Sequence, residues 1–437
     1  MPWAGPTITS DSFTLPSGRS LVPVSATLAA NEVLATRRRA GQPVLPLAFG
    51  ESGLPVHRRL RSELANASAL GAYGPVAGLP SLREAAAGYW TRRGTPTDPE
   101  RVLAGPGSKA LLFGLLLALG TDVAIPQPSW VSYAAQARLT GLAPHFVPTM
   151  PGEGGICDPD ALDATVRAAQ AAGRRIGAVL LTLPDNPTGR VASPEAVREL
   201  CATARRRDLI IISDEIYRDL VHESSTPFLS PASVAPERTV VTTALSKSMA
   251  VGGWRLGVAR MPDGRAGQTL CDRLTGIASE IWSAAPVPVQ QAGAVAFAEP
   301  AELTEYVGRA RRLHAVVARE TARVFATAGV NVATPQAAFY LYPDFAPWRA
   351  HLAHKHEVTG AASLAALLLE RYGAGTLPGS AFGDDPAALR LRVATGLLYG
   401  DSEEQRETAL AAADPVRLPW IGGAMDRLAD ILADMIA

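Results

Sequence analysis

Ile176-Gly177-Ala178-Val179-Leu180-Leu181-Thr182-Leu183, an amphipathic stretch from Pro194 to Arg206, and then Leu209-Ile210-Ile211-Ile212-Ser213 decide the fold. The two outer runs are apolar almost throughout, so neither has a face suited to water, and they read as strands buried on both sides. The helix between them makes a strand–helix–strand unit, which sets the two strands parallel. Working outward, Val102–Ala104, Asp122–Pro126, Thr239–Thr243 and Arg255–Ala259 read as further strands separated by helical segments. The expectation is an α/β fold, a large domain over 46–300 with a mainly parallel sheet covered by helices. From about residue 300 the texture changes to long charged helices, Ala301 to Thr327, with strand-like Ala338–Tyr342 and Leu389–Ala394. This predicts a smaller α+β domain over 301–437. Residues 1–45 are expected to be an arm, loose over its first ~20 residues, followed by a helix from Ser25 to Ala40 that packs with the small domain.

The 437 residues suit more than one core. Lys+Arg and Asp+Glu are both 41, which gives no electrostatic reason to expect nucleic acid or a membrane surface as partner. The longest apolar run, Ala110 to Leu119, is too short to span a bilayer and reads as a buried helix. Three cysteines, Cys157, Cys201 and Cys271, have neither metal nor disulfide spacing, and no signal peptide opens the chain, so a reducing cytoplasmic setting is expected. His351, His354 and His356 read as a solvated stretch, with no metal expected.

Ligands of open α/β sheets bind beyond the carboxyl ends of the strands, and six polar segments stand there or on strand-like runs. Gly105-Pro106-Gly107-Ser108-Lys109 opens a helix, where free N–H groups and the helix dipole suit a phosphate. Trp130 follows a strand and could stack on a flat ring. Leu183-Pro184-Asp185-Asn186-Pro187-Thr188-Gly189 is a rigid turn presenting the Asn186 amide as a donor to a phenolate oxygen. Asp214 ends an apolar strand; a desolvated carboxylate needs a cationic partner, and a protonated pyridine nitrogen is one. Lys247, in Ala244-Leu245-Ser246-Lys247-Ser248-Met249, follows another apolar strand, where burial makes its amine nucleophilic. Arg255 could fork onto a phosphate, and Arg390, which shares a strand face with Arg392, onto a carboxylate. Each segment alone has a bland reading as a turn, a core Trp, a helix cap or a surface cation. Together they supply every part that pyridoxal 5′-phosphate (PLP) requires of its protein.

In these segments the chain resembles the class I/II aminotransferases of PLP fold type I. The likeness runs from about Ser25 to Thr395 through Asn-Pro-x-Gly, Asp-x-x-Tyr and Ser-Lys…Gly-Trp-Arg in the family's order. It implies that Lys247 is the Schiff-base lysine and proton shuttle, and that Asp214 keeps the ring nitrogen protonated. It implies that Tyr217 and Asn186 donate to the phenolate oxygen and that Trp130 stacks on the ring. Ser108, Lys109 and Arg255, with backbone help from Gly107, would cradle the phosphate. Arg390 would clamp the substrate carboxylate, with the Gly50 backbone nearby. Tyr73 would reach the phosphate of a partner subunit, which implies a homodimer with shared sites. The reaction implied is ping-pong transfer of an amino group between an L-amino acid and a 2-oxo acid.

Four departures stand out. Ala244 replaces the family's Ser or Thr, leaving Thr243 or Ser246 to restore a phosphate hydrogen bond. Gly50-Glu51-Ser52-Gly53-Leu54 and Ser283-Ala284-Ala285 differ from the family's motifs, and a break at 413–420 precedes the last helix. They keep a second reading open, a PLP-dependent lyase, oxidative deaminase or decarboxylase acting on a specialised amino acid. A third, a regulatory module without catalysis, lacks a DNA-binding segment in the N-terminal arm.

Overall fold

The computed structural model describes residues 24–437; the expected loose arm lies outside them. Seven strands form the central sheet: β1 Val102–Gly105, β2 Asp122–Gln127, β3 Pro144–Pro148, β4 Ile176–Thr182, β5 Ile210–Asp214, β6 Thr239–Ala244 and β7 Gly257–Arg260. Their order is β1-β7-β6-β5-β4-β2-β3. All neighbours are parallel except β7, which runs against both β1 and β6. The parallel register sets Thr182 beside Asp214 and Asp214 beside Thr242. The edge of the sheet at the carboxyl ends of its parallel strands therefore collects the ends of β4, β5 and β6.

Both faces are buried, as strands apolar over most of their length require. Val179, Leu181 and Ile211 pack on one side with Leu162, Val166, Val197 and Leu200 of two covering helices. Leu180, Ile212 and Val240 pack on the other with Leu111, Leu112, Leu115 and Leu116 of the helix Ser108–Leu119. Each such leucine contributes roughly 1.5–3 kcal/mol by leaving water. The helix Pro194–Arg206 carries its own start signals. The Ser193 hydroxyl accepts from Ala196 N at 3.2 Å, Pro194 opens the first turn, and Glu195 sits at the positive end of the dipole.

Two details differ from expectation. β3 is an edge strand with proline at both ends; an edge tolerates the missing donors, and those prolines hid it in the sequence. The strand expected from Arg255 begins at Gly257, because Arg255 adopts a left-handed conformation (φ 58°) and turns out of the sheet.

Beyond the sheet, Ala301–Thr327 is one 27-residue helix. Its apolar face, with Leu303, Tyr306, Ala310, Leu313 and Val317, belongs to the same core as Ile421, Met425, Leu428 and Leu432 of the helix Pro419–Ile436. Three short strands, β8 Tyr340–Leu341, β9 Leu377–Pro378 and β10 Leu391–Ala394, pair antiparallel in the order β9-β10-β8. The helix Ala26–Arg39 sets Leu34 against Leu377 and Phe382. Cys157, Cys201 and Cys271 are buried and unpaired. Among the described residues no helix is long and apolar enough to cross a membrane.

Candidate functional site

Asp214 closes β5 and is buried at the sheet edge. Its carboxylate accepts from Thr242 Oγ1 at 3.1 Å and from the Tyr133 hydroxyl at 3.3 Å. Tyr133 is steadied in turn by Thr182 Oγ1 at 2.5 Å. Burial pushes the Asp214 pKa up to about 7 against those hydrogen bonds, so the site as built favours a cationic guest beside this oxygen pair.

Lys247 follows β6 on the short helix Leu245–Ser248. Its Nζ donates to the carbonyl of Gly50. Burial pushes the amine down to about 8; the Glu51 charge opposes the shift and the Arg392 charge adds to it. An amine with that pKa is available unprotonated near neutral pH, which nucleophilic attack and proton transfer both need.

At the start of the helix Ser108–Leu119, Gly107 has φ 87°, and a Cβ there would collide with the Arg255 guanidinium. Only glycine brings the backbone so close to that cation. Arg255 is held by the carbonyls of Gly252 at 2.8 Å and Pro106 at 3.3 Å. Among the described residues no carboxylate pairs with Arg255 or Lys109. Burial, then the Arg255 charge, lowers the Lys109 pKa. Two cations without a carboxylate partner beside a helix N-terminus could hold a phosphate. Lys109 Nζ also lies 5.0 Å from the Trp130 ring centroid, and Trp130 packs edge-on against Tyr133. Ser246 is partly exposed beside Lys247, whereas Thr243 and Ala244 are buried.

The structure gives the two arginines of β10 and its lead-in different partners. Arg390 donates to Asp384 Oδ1 at 2.9 Å, and Asp384 also takes the Tyr342 hydroxyl at 2.8 Å, so Arg390 is spent on an internal pair. Arg392 instead is 1% exposed. It donates to Ala48 O and reaches Asn186 Oδ1 at 3.5 Å. Its guanidinium lies 5.0 Å from the Tyr340 centroid and 5.1 Å from that of Phe382. Its Nε has no partner, and no carboxylate among the described residues pairs with it. Tyr217, expected near the ring's phenolate oxygen, is buried with its hydroxyl 2.8 Å from that of Tyr340. Asn186 is buried at the end of the turn after β4.

Sequence reasoning missed Tyr133, Tyr340 and Arg392. Tyr133, on the helix Ser132–Leu139, has no local signal in the sequence. Arg392 was visible as the alternate on the same face; the neighbouring acids Asp384 and Asp385 were the signal that Arg390 would be neutralised. Tyr73 is 92% exposed.

A sheet-edge carboxylate, a buried amine, an aromatic and an anion cradle fit a phosphorylated pyridine aldehyde. A profile of the family described as aminotransferase class I and II matches residues 44–407. The chain belongs to the class I and II aminotransferases. It is 31% identical over 330 residues to a probable aspartate/prephenate aminotransferase of Thermus aquaticus, covering 74% of this chain and 83% of that protein. It is 32% identical over 389 residues to an aspartate aminotransferase of Geobacillus stearothermophilus, covering 86% and 93%. The solved structure of aspartate aminotransferase from Thermus thermophilus with maleate superposes with TM-score 0.78 at 28% identity, covering 95% of this chain and all of that one. This aminotransferase thus has PLP fold type I and is PLP-dependent. The lyase and oxidative readings are not favoured by these relatives.

Proposed function

We propose that this aminotransferase holds PLP on Lys247 and binds the substrate's α-carboxylate on Arg392, with an acidic amino acid as donor. The observation that carries the reading is the buried Arg392 guanidinium without an anion, whose charge is felt at the Lys247 amine. A buried cation lacking a counter-charge costs several kcal/mol, about 3–5 when a pair is broken, unless a ligand supplies one. A carboxylate fits its planar fork.

When bound, PLP supplies an electrophilic carbon for the amino group and an electron sink in its ring. The protein supplies the rest. Asp214 keeps a proton on the ring nitrogen, Tyr133 and Thr242 aim Asp214, and Trp130 covers one ring face. Asn186 and Tyr217 donate to the phenolate oxygen. Gly107, Ser108, Lys109 and Arg255 hold the phosphate, and Ser246 donates the hydrogen bond that Ala244, having no hydroxyl, does not. Lys247 takes up and returns the proton at the substrate's Cα, and the Gly50 carbonyl orients its amine. Aspartate is the first donor to test because the relatives named above carry it in their names. The chain divides near residue 300 into the cofactor-binding part and a smaller part carrying Arg392. A homodimer fits the exposure of Tyr73, at 92%, with Leu70 and Ile281 also exposed. Tyr73 would then reach the partner's phosphate cradle.

The test is incubation of the PLP-loaded enzyme with aspartate and a 2-oxo acid. The expected outcome is one new 2-oxo acid for each new amino acid. Ammonia or carbon dioxide released from the donor, with no amino acid formed from the acceptor, overturns the reading. Sedimentation as a monomer at micromolar concentration overturns the dimer.

A further inference from the structure

Two of the sequence departures, at Gly50–Leu54 and at 413–420, meet at one buried histidine. The segment before Gly53 presents two carbonyls to cationic side chains. Ala48 O receives Arg392, and Gly50 O receives Lys247. Two residues on, Ser52 turns inward and is buried, its Oγ 3.4 Å from Nε2 of His314 on the helix Ala301–Thr327. His314 Nδ1 lies 2.6 Å from the Tyr399 hydroxyl. The Tyr399 carbonyl accepts at 2.8 Å from Nε1 of Trp420, in the first turn of the last helix, Pro419–Ile436, which follows the break. The same segment is pinned at Gly53, whose N–H donates to Gly396 O at 2.9 Å. Gly396 is close enough that a Cβ there would strike Glu51 O. The His314 ring also leans on Phe339, centroids 5.1 Å apart, next to Tyr340 in the pocket wall.

His314 and Tyr399 are fully buried. Burial pushes the His314 pKa down to about 3, so its ring is neutral with one N–H and one acceptor. Either tautomer closes the chain between Ser52 and Tyr399. Buried polar groups joined in this way hold one geometry, because each broken bond strands a desolvated partner.

We propose that His314 is a positioning residue for transamination: by tying Ser52 to Tyr399 it holds the two backbone carbonyls that orient Lys247 and Arg392. The inference rests on reading the Lys247–Arg392 pocket as the substrate site. It concerns residues that touch neither substrate nor cofactor.

Four variants test it. Ser52→Ala removes the tie at the segment alone. His314→Phe keeps ring volume and removes both bonds. His314→Gln can still reach Ser52, and His314→Asn can still reach Tyr399. Two readouts are taken on the PLP-loaded enzyme: amide hydrogen exchange over residues 48–53 without substrate, and KM against kcat. Ser52→Ala and His314→Phe are expected to speed exchange at 48–53 and raise KM roughly five- to twentyfold, with kcat falling less than about threefold. His314→Gln restores most of the loss and His314→Asn restores less. Wild-type exchange at 48–53 together with unchanged KM in Ser52→Ala overturns the proposal and leaves His314 a core residue. If His314→Phe fails to fold, Ser52→Ala decides alone. Arg392→Ala separates the two claims: if it leaves KM unchanged, the pocket reading itself fails. If it raises KM while Ser52→Ala does nothing, only the role of His314 fails.

Discussion

The sheet edge that carries Asp214 and Lys247 and the small antiparallel sheet that carries Arg392 place their charges by opposite means. β5 and β6 bury both faces, so a charged residue just past them stands out against an apolar run. Strands β8 and β10 are two and four residues long and carry polar and apolar residues side by side. There a charge means little until its partners are known, and Asp384 decides which of two equivalent arginines stays free. A site's chemistry is written plainly where the scaffold is monotonous and obscurely where the scaffold is mixed.

Experiments can break or sharpen that contrast. The largest effect is expected at the sheet edge. Lys247→Ala should lower kcat by about four orders of magnitude, and after borohydride reduction mass spectrometry should find no cofactor on the chain. A variant retaining ordinary turnover would undo the reading of the edge. Next comes the small sheet. Arg392→Ala should cost roughly 2–5 kcal/mol in kcat/KM, mostly as a raised KM, because it removes a buried charge with its ligand. Arg390→Ala should change kcat/KM less than about threefold, since its partially exposed pair with Asp384 contributes no more than about 1 kcal/mol. Steady-state kinetics on both variants would show the reverse pattern if Arg390 were the clamp. Tyr133→Phe removes one hydrogen bond to the Asp214 carboxylate and should slow kcat by about tenfold or more, a bond to a charged group being worth about 1.5–3 kcal/mol.

The smallest effect concerns pH. In the cofactor-free protein Asp214 has a folded pKa of about 7, above its ordinary value of 3.8. Between these values the native state binds the proton that the unfolded chain has released. Stability therefore falls as pH rises from about 4 to 7. Buried Asp185, also raised to about 7, adds a similar slope. The difference between wild type and Asp214→Asn isolates Asp214. Thermal melts across this range should show the variant gaining relative stability as pH rises, and a constant difference would refute the assignment.

Much of the large sheet was legible because its residues obey one rule at a time. Continuous apolar runs, glycine-opened helices and polar residues past strand ends each carry a local signal. Lys247, Asp214, Asn186 and Arg255 were singled out that way. The rest depended on pairings between segments distant in the chain. β3 hid behind its two prolines. Arg255 was counted in a strand because its backbone twist leaves no trace in a Trp-Arg-Leu-Gly run. Tyr133 looked like any tyrosine on a short helix, since its link to Thr182 and Asp214 exists only once β4 and β5 lie side by side. His314 sits in a helix whose pattern signals only a core face, and Ser52 is 262 residues away from it. No spacing rule joins them.

The order of these groups along the chain has a consequence for synthesis. Every side chain proposed to hold the cofactor precedes Leu256, whereas Arg392, Tyr399 and Trp420 come in the last part of the polypeptide. A growing chain therefore emerges from the ribosome with its cofactor seat fully written and its substrate clamp still untranslated. The opening segment around Ala48 and Gly50, made early, must wait for both cations and for the final helix before its geometry is settled.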